Sequence, residues 1–199
     1  MCSSDLGYLY RQSEAPRTDQ CPPPTAPWDQ CLTYEEQFRH LVYGAWDARG
    51  AGVLAEGRAT LSFQEQHERR RLDLTAANLR GRGVDDVRTL GASLSARTRD
   101  LLPAPDLAVR VEAGADAYLD LVASRADHVY TDTLDAIEES RGQYLDGSRY
   151  LTGGAFASAE ARLSWVAVRA GARLGWAWAS APGDPDSGTA AVDEAWVPW

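Results

Sequence analysis

Hydrophobic and polar residues alternate along several long stretches of the chain. Between residues 107 and 123 every odd position is Leu, Val or Ala, and the even positions include Arg110, Glu112, Asp116 and Asp120. A helix would scatter these four charges around its circumference, whereas a strand collects them on one face. The same period of two occurs at 53–63, 155–167 and 172–178. The pattern therefore predicts β-strands.

The alternating runs predict an all-β, antiparallel protein with about eight visible strands. A two-residue loop at 170–171 is expected because the apolar positions change there from odd to even, as such a loop requires. The predicted strands cover about 38–48, 53–64, 70–80, 87–98, 106–113, 116–124, 155–169 and 172–180. The other short connections are expected at 50–51, 64–69, 81–86 and 114–115, and longer ones at 100–105, 125–154 and 181–195.

Several of these strands are longer than those of most soluble proteins. A strand tilted across a bilayer needs roughly 9–11 residues, whereas strands in soluble proteins usually have about 5–6. Together with short turns and longer polar loops, the alternation makes residues 38–180 resemble the class of outer-membrane β-barrels. The resemblance implies an up-and-down transmembrane barrel in a Gram-negative outer membrane. The eight strands would either form a narrow barrel or belong to a larger one.

In such a barrel the apolar face meets lipid and the charged face lines the lumen. The row of alanines at 155–161 would pack poorly in a soluble core but suits a lipid-facing surface. The resemblance implies that these charged side chains face the lumen: Glu56, Arg58, Arg71, Asp73, Arg110, Glu112, Asp120, Glu160, Arg162 and Arg173. Expected at the membrane interface are Trp46, Trp165, Trp176 and Trp178.

Composition narrows the class of function. The net charge of −9 argues against a nucleic-acid partner, and all 20 basic residues are arginine. No run of apolar residues is long enough for a transmembrane helix. No nucleophile motif, metal-binding pattern or phosphate loop is present, so we expect a non-catalytic protein without a metal or cofactor. The expected partners are outer-membrane lipid and small solutes or ions.

The pattern divides the chain into three parts. Residues 1–35 are expected to consist of a short cloning scar at the N-terminus and a Pro-rich loop. Residues 36–180 contain the barrel strands, and residues 181–199 form an acidic loop and the start of a possible further strand. Cys21 and Cys31 bracket the Pro-rich loop. They are either a disulfide pair, which would indicate an oxidising compartment, or two free thiols.

The expected function is passive, porin-like transport or a scaffold for surface loops. Two alternatives remain open on the sequence. The first is a helical cell-envelope protein in which residues 117–170 resemble the helices of efflux ducts. The second is a soluble all-β binding protein, in which the apolar face would form the core and the charges would face water.

Overall fold

The computed structural model describes residues 2–8, 11–12, 15–16, 30–50, 52–139, 142–184 and 186–196. These residues form one antiparallel sheet with 12 strands, and they contain no α-helix, only a 3₁₀ turn at Thr75–Ala77. In this part of the chain, no helix has the length and apolar character needed to cross a membrane. The predicted all-β, antiparallel class is confirmed. The helical alternative is wrong for the described residues of 117–170, which are mostly strand.

The strands follow one another up and down across the sheet. They are β1 Cys2–Tyr8, β2 Arg11–Gln12, β3 Ala15–Pro16, β4 Gln30–Arg49, β5 Leu54–Leu74, β6 Leu79–Thr98, β7 Leu101–Ala104, β8 Leu107–Tyr130, β9 Ala136–Glu138, β10 Arg149–Leu163, β11 Val166–Ala181 and β12 Val192–Trp196. The sheet order is β1-β4-β5-β6-β8-β10-β11-β12. Strands β2 and β3 pair with β4, and β7 and β9 pair with β8. No ladder joins β12 to β1 in the described residues, so the sheet is open there.

Six long strands, β4, β5, β6, β8, β10 and β11, take the place of the eight strands that the sequence predicts. β8 has 24 residues and contains 114–115, where a turn is predicted. The turn predicted at 170–171 lies inside β11, and the chain reverses instead at 164–165. The connections predicted at 64–69 and 81–86 lie inside β5 and β6. The reversal between these two strands comes at 75–78, where Asn78 adopts a positive φ of 51°.

One face of the sheet is apolar over six neighbouring strands. We call it the apolar face and define it by the alternate positions at 42–48 of β4, 57–63 of β5, 90–96 of β6, 113–119 of β8, 151–157 of β10 and 172–178 of β11. The register aligns these positions in four rows, the first of which is Val42–Phe63–Leu90–Leu119–Leu151–Trp178. Every position in the four rows is Ala, Val, Leu, Phe, Trp or Gly.

The apolar face is not covered by any other described part of the protein. Leu94 and Val168 expose 63% and 60% of their surface, and the small alanines at 155, 157 and 159 are exposed as well. Among the described residues the only buried hydrophobic residue is Ala45, which lies on the opposite face. The sheet therefore has no hydrophobic core of the kind that a soluble single domain builds.

Beyond the apolar face, β4, β5 and β6 continue as a segment that is mostly polar on both faces. We call this segment, residues 30–40, 64–74 and 79–89, the polar extension. Ion pairs link its strands, including Arg69–Glu36 at 3.0 Å and Arg88–Glu65 at 3.1 Å. Because both faces are polar, the extension suits water on both sides. The change from an alternating to a mostly polar sequence divides each of these strands into two zones.

Candidate functional site

The face opposite the apolar face carries most of the predicted lumen charges, and we call it the charged face. These residues lie on it: Glu56, Arg58, Arg110, Glu112, Asp120, Glu160, Arg162 and Arg173. The structure differs for Arg71 and Asp73. β5 runs from Glu56 to its end without a register shift, so these two odd positions share the face of Leu61. They lie in the polar extension, where Arg71 contacts Glu35 at 2.9 Å and Asp73 contacts Arg80 at 2.5 Å.

Charges of opposite sign alternate from strand to strand across the charged face. Arg49 of β4 faces Glu56 of β5, which faces Arg97 of β6, which in turn faces Glu112 of β8. Next to this row, Arg110 of β8 faces Glu160 of β10, which faces Arg169 of β11. We call these two rows the charge ladder. Opposite charges on directly facing positions favour the observed register over a shifted one.

Two ion pairs join four residues of the charge ladder. Arg97 contacts Glu56 at 2.5 Å, and Arg169 joins the two rows by contacting Glu112 at 3.5 Å. All four of these side chains are more than a third exposed, so the pairs are accessible to water and contribute little to stability. They remain available to interact with a charged or polar solute.

A groove of about 530 Å³ lies over the first row of the charge ladder. Its lining includes Arg49, Glu56, Arg97 and Glu112 together with the neighbouring pair Asp47 and Arg58. In that pair, the Arg58 guanidinium lies 3.8 Å from the Asp47 carboxylate. The groove thus offers cationic and anionic groups side by side, and its volume is in the range of a site for a small molecule.

A chain of hydrogen bonds crosses the charged side of the polar extension. Gln37 donates to Glu68 at 3.0 Å, and Arg70 donates to Asp85 at 2.5 Å while lying 3.1 Å from Glu68. Ser124 donates to Asp85 and accepts from the Tyr144 backbone N–H at 3.0 Å.

Ser124 and Asp85 are only 2% and 5% exposed, which makes them the most buried side chains of this chain of bonds. The 142–148 segment lies against them, since the Ser124 backbone N–H donates to Asp146 at 2.9 Å. Asp85 accepts hydrogen bonds from Arg70 and Ser124, and the Ser124 hydroxyl also accepts one from Tyr144. These bonds satisfy the buried polar groups, which would otherwise be costly to bury. The network therefore holds the loop against the sheet.

The four tryptophans expected at an interface lie at two levels of the sheet. Trp176 and Trp178 are on the apolar face of β11, in the two rows nearest the polar extension. The Trp178 indole N–H donates to Asp193 at 2.7 Å. Trp46 lies on the apolar face of β4 near the opposite end, and Trp165 projects from the β10–β11 turn with 84% of its surface exposed. Their positions at an interface stay a prediction.

The cysteines and histidines of the described residues do not form a metal centre. Cys31 is disulfide-bonded, and Cys21, its predicted partner, lies outside the described residues, so this pairing stays a prediction. His67 stacks on Phe38 at 4.7 Å and bonds to Asp86 at 2.6 Å. No group of three or more His, Cys, Asp or Glu side chains in this part of the chain could hold a metal ion.

Sequence reasoning missed three of the seven residues of the charge ladder, namely Arg49, Arg97 and Arg169. A signal for Arg97 was present, since it follows the apolar positions 90–96 and must lie on their opposite face. The wrong turn at 170–171 hid Arg169 by placing it at a strand end. Arg49 was hidden by its position next to the predicted turn at 50–51. The cross-strand register, which the sequence does not reveal, is what shows the alternation of charge.

Comparison with known proteins adds no relative. No protein-family model matches the sequence, and no curated protein is significantly similar to it.

Proposed function

We propose that this chain forms wall strands of a transmembrane β-barrel in an outer membrane, and that the barrel lets small solutes or ions pass. The apolar face contacts lipid, and the charged face lines the aqueous interior. One observation carries the proposal: most of the exposed large hydrophobic side chains on the six long strands, including Leu61, Leu94 and Leu174, lie on a single face, and Ala45 is the only buried hydrophobic residue among the described residues. Exposed apolar surface of this extent marks an interaction with lipid or another apolar partner.

The dimensions of the apolar zone support a membrane rather than a protein partner. On β5 the apolar positions run from 55 to 63, and on β10 they run from 151 to 163. These lengths, about 9 to 13 residues, are close to the roughly 9–11 that a tilted strand needs to cross a bilayer. The zone extends as a continuous band across six strands, as a lipid-facing girdle would.

The charged face and its groove support passive transport. Side chains of both signs remain accessible to water there, and the groove of about 530 Å³ provides room for hydrated solutes. A purely structural wall would gain more from apolar or neutral residues, because exposed ion pairs stabilise little. The soluble binding protein fits less well, because its core would have to be the face that is exposed here.

A scaffold for surface loops is the second candidate, and the polar extension favours it. Extended strands linked by ion pairs such as Arg69–Glu36 would carry the connecting loops away from a bilayer. The two candidates share the same membrane-spanning wall but differ in conductance. A barrel that only holds loops stays closed to ions.

Spin labelling tests the orientation of the wall. Single cysteines, in a chain whose native cysteines are serine, are placed at Ala115, Ala157 and Ala159 of the apolar face. The matched controls are Ser95 and Ser158 of the charged face. In lipid vesicles, we expect the first group to collide with dissolved oxygen and to be shielded from a charged nickel chelate, and the controls to show less oxygen contact. Shielding from both reagents at the alanines would indicate a buried protein core and overturn the proposal.

Planar-bilayer recording tests transport. The purified, refolded chain is expected to produce discrete current steps, because the interior holds water along the charged face. If spin labels at the alanines contact lipid but the chain carries no current, the result would support the scaffold and contradict transport. The spin-label and current readouts thus separate the two candidates.

A further inference from the structure

We propose that the charge ladder makes the passage favour small zwitterions, such as free amino acids, while discriminating little between cations and anions. This inference rests on the proposed transport function and names its solute class. The ladder consists of Arg49, Glu56, Arg97 and Glu112 in one row and Arg110, Glu160 and Arg169 in the next. Its distinctive feature is that the sign of the charge changes at each neighbouring strand.

Alternation on this scale cancels the field that a single-sign cluster would produce. Neighbouring strands are about 4.8 Å apart, which is well below a Debye length of about 8 Å at physiological ionic strength. An ion moving along the charged face therefore experiences attraction and repulsion of similar size at once. Neither sign gains the local enrichment that rings of one charge confer on selective channels.

A zwitterion interacts with the same surface differently. Its carboxylate can accept hydrogen bonds from an arginine on one strand while its ammonium group donates to the glutamate on the next strand. The separation of its two charges is comparable to the strand spacing, so both contacts form together. Arg97 and Glu56, 2.5 Å apart and each more than 40% exposed, supply such a pair at the groove. Arginine suits the first contact because its planar group binds carboxylates with two parallel hydrogen bonds.

Reversal potentials test the first half of the proposal. In a potassium chloride gradient, the unmodified chain is expected to show nearly equal permeability to the two ions. Arg97→Gln is expected to shift the ratio toward cations and Glu56→Gln toward anions, each by up to about fivefold for a charge close to the path. The double variant is expected to return to near equality. The control Arg88→Gln removes an even more exposed arginine, which pairs with Glu65 on the opposite face, and it should leave the ratio unchanged.

Liposome swelling tests the second half. Glutamine, a zwitterion, is compared with arabinose, a neutral solute of similar mass. We expect faster swelling in glutamine, and the preference should disappear in the Arg97→Gln/Glu56→Gln variant while arabinose entry continues. Continued arabinose entry shows that this variant still folds and inserts. The charge-conserving variants Arg97→Lys and Glu56→Asp are expected to keep the preference in part.

The outcomes separate this inference from the function on which it rests. Absence of both current and arabinose entry would overturn transport itself. Current with a strong preference for one ion, or equal entry of glutamine and arabinose in the unmodified chain, would overturn the zwitterion proposal and leave transport standing. Loss of glutamine preference in Arg88→Gln as well would show that the effect does not come from the charge ladder.

Discussion

Glycines in the long strands leave space for a large side chain on the neighbouring strand. A Cβ atom at Gly114 would lie 2.7 Å from the Phe156 ring, and one at Gly153 would lie 2.5 Å from the Trp176 indole. Each glycine lies directly opposite the aromatic residue on the neighbouring strand, since Gly114 pairs with Phe156 and Gly153 pairs with Trp176. Glycine within a strand commonly marks such a close approach. These glycines are therefore packing positions within strands and not turns.

We expect Gly114→Ala to destabilise the protein by about 1–3 kcal/mol, the usual cost of overpacking. The added methyl group would also lie 2.7 Å from the Leu94 carbonyl oxygen, which is backbone and cannot rotate away. Gly57→Ala is the matched control, because the nearest atom to its Cβ would be 3.6 Å away. Urea unfolding in lipid vesicles measures both variants. Equal midpoints for the two would contradict the role assigned to Gly114.

Ser124→Ala should cost about 1–3 kcal/mol, because it removes one hydrogen-bond donor from the buried Asp85 carboxylate and the acceptor of the Tyr144 backbone N–H. Ser124 is 2% exposed, and its hydroxyl connects Asp85 to the Tyr144 backbone N–H. Ser93→Ala, a half-buried serine on the same face, is the control. Faster hydrogen exchange at Tyr144 in the first variant alone would show that the loop is released. Unchanged exchange there would show that other contacts hold the loop.

At the scale of single strands, alternation predicted which segments are extended but not where they reverse. The period of two runs through 107–123 without a change of parity, and β8 crosses that whole range. A two-residue turn at 114–115 would have reversed the parity, so the alternation itself opposed that turn. From the local sequence Gly114 indicates a turn, because the Phe156 ring that requires a glycine there comes from a distant part of the chain.

The β10–β11 turn shows a limit of the parity rule. Loops at 164–165 and at 170–171 both exchange odd for even positions, so parity allows either one. With the observed turn, Val166 and Val168 join the apolar positions 172–178 on one face, which gives β11 a longer apolar stretch. The choice between the loops depends on pairing with β8, which the local sequence does not contain.

Disulfide trapping tests the position of this turn. In a chain without native cysteines, Ala161→Cys/Val168→Cys is expected to form a disulfide on mild oxidation, because the two positions face each other across β10 and β11. Ala167→Cys/Leu174→Cys would pair if the loop were at 170–171. These two positions lie on one strand, roughly 23 Å apart at about 3.3 Å per residue, and should stay reduced. Cross-linking of the second pair and not the first would refute the observed register.

At the scale of the molecule, the sequence predicted the two faces better than the polar extension. Where one face is apolar, alternation identified the charged side chains, including Glu56, Glu112 and Glu160. In β5 beyond Phe63 both faces are mostly polar, so the alternation of apolar and polar residues is lost. The sequence there predicts a turn at 64–69, which would place the following residues on the other face. This is why Arg71 and Asp73 were assigned to the wrong face. Long-range pairing, through Glu36–Arg69 and similar contacts, keeps this segment extended.

The absence of a covered apolar core among the described residues makes folding depend on the surroundings. An exposed band that includes Leu61, Leu94 and Leu174 costs about 25 cal/mol for each Å² in contact with water, so water alone should not support this sheet. We expect the chain, diluted from urea into buffer, to aggregate, and the same dilution into lipid vesicles to give a β-sheet circular dichroism spectrum. Replacing Leu61, Leu94 and Leu174 by serine should weaken vesicle insertion, whereas serine at Val87 of the charged face should have little effect. A monodisperse chain that unfolds cooperatively in buffer without lipid would contradict this account, because it would require a core that the sheet does not contain.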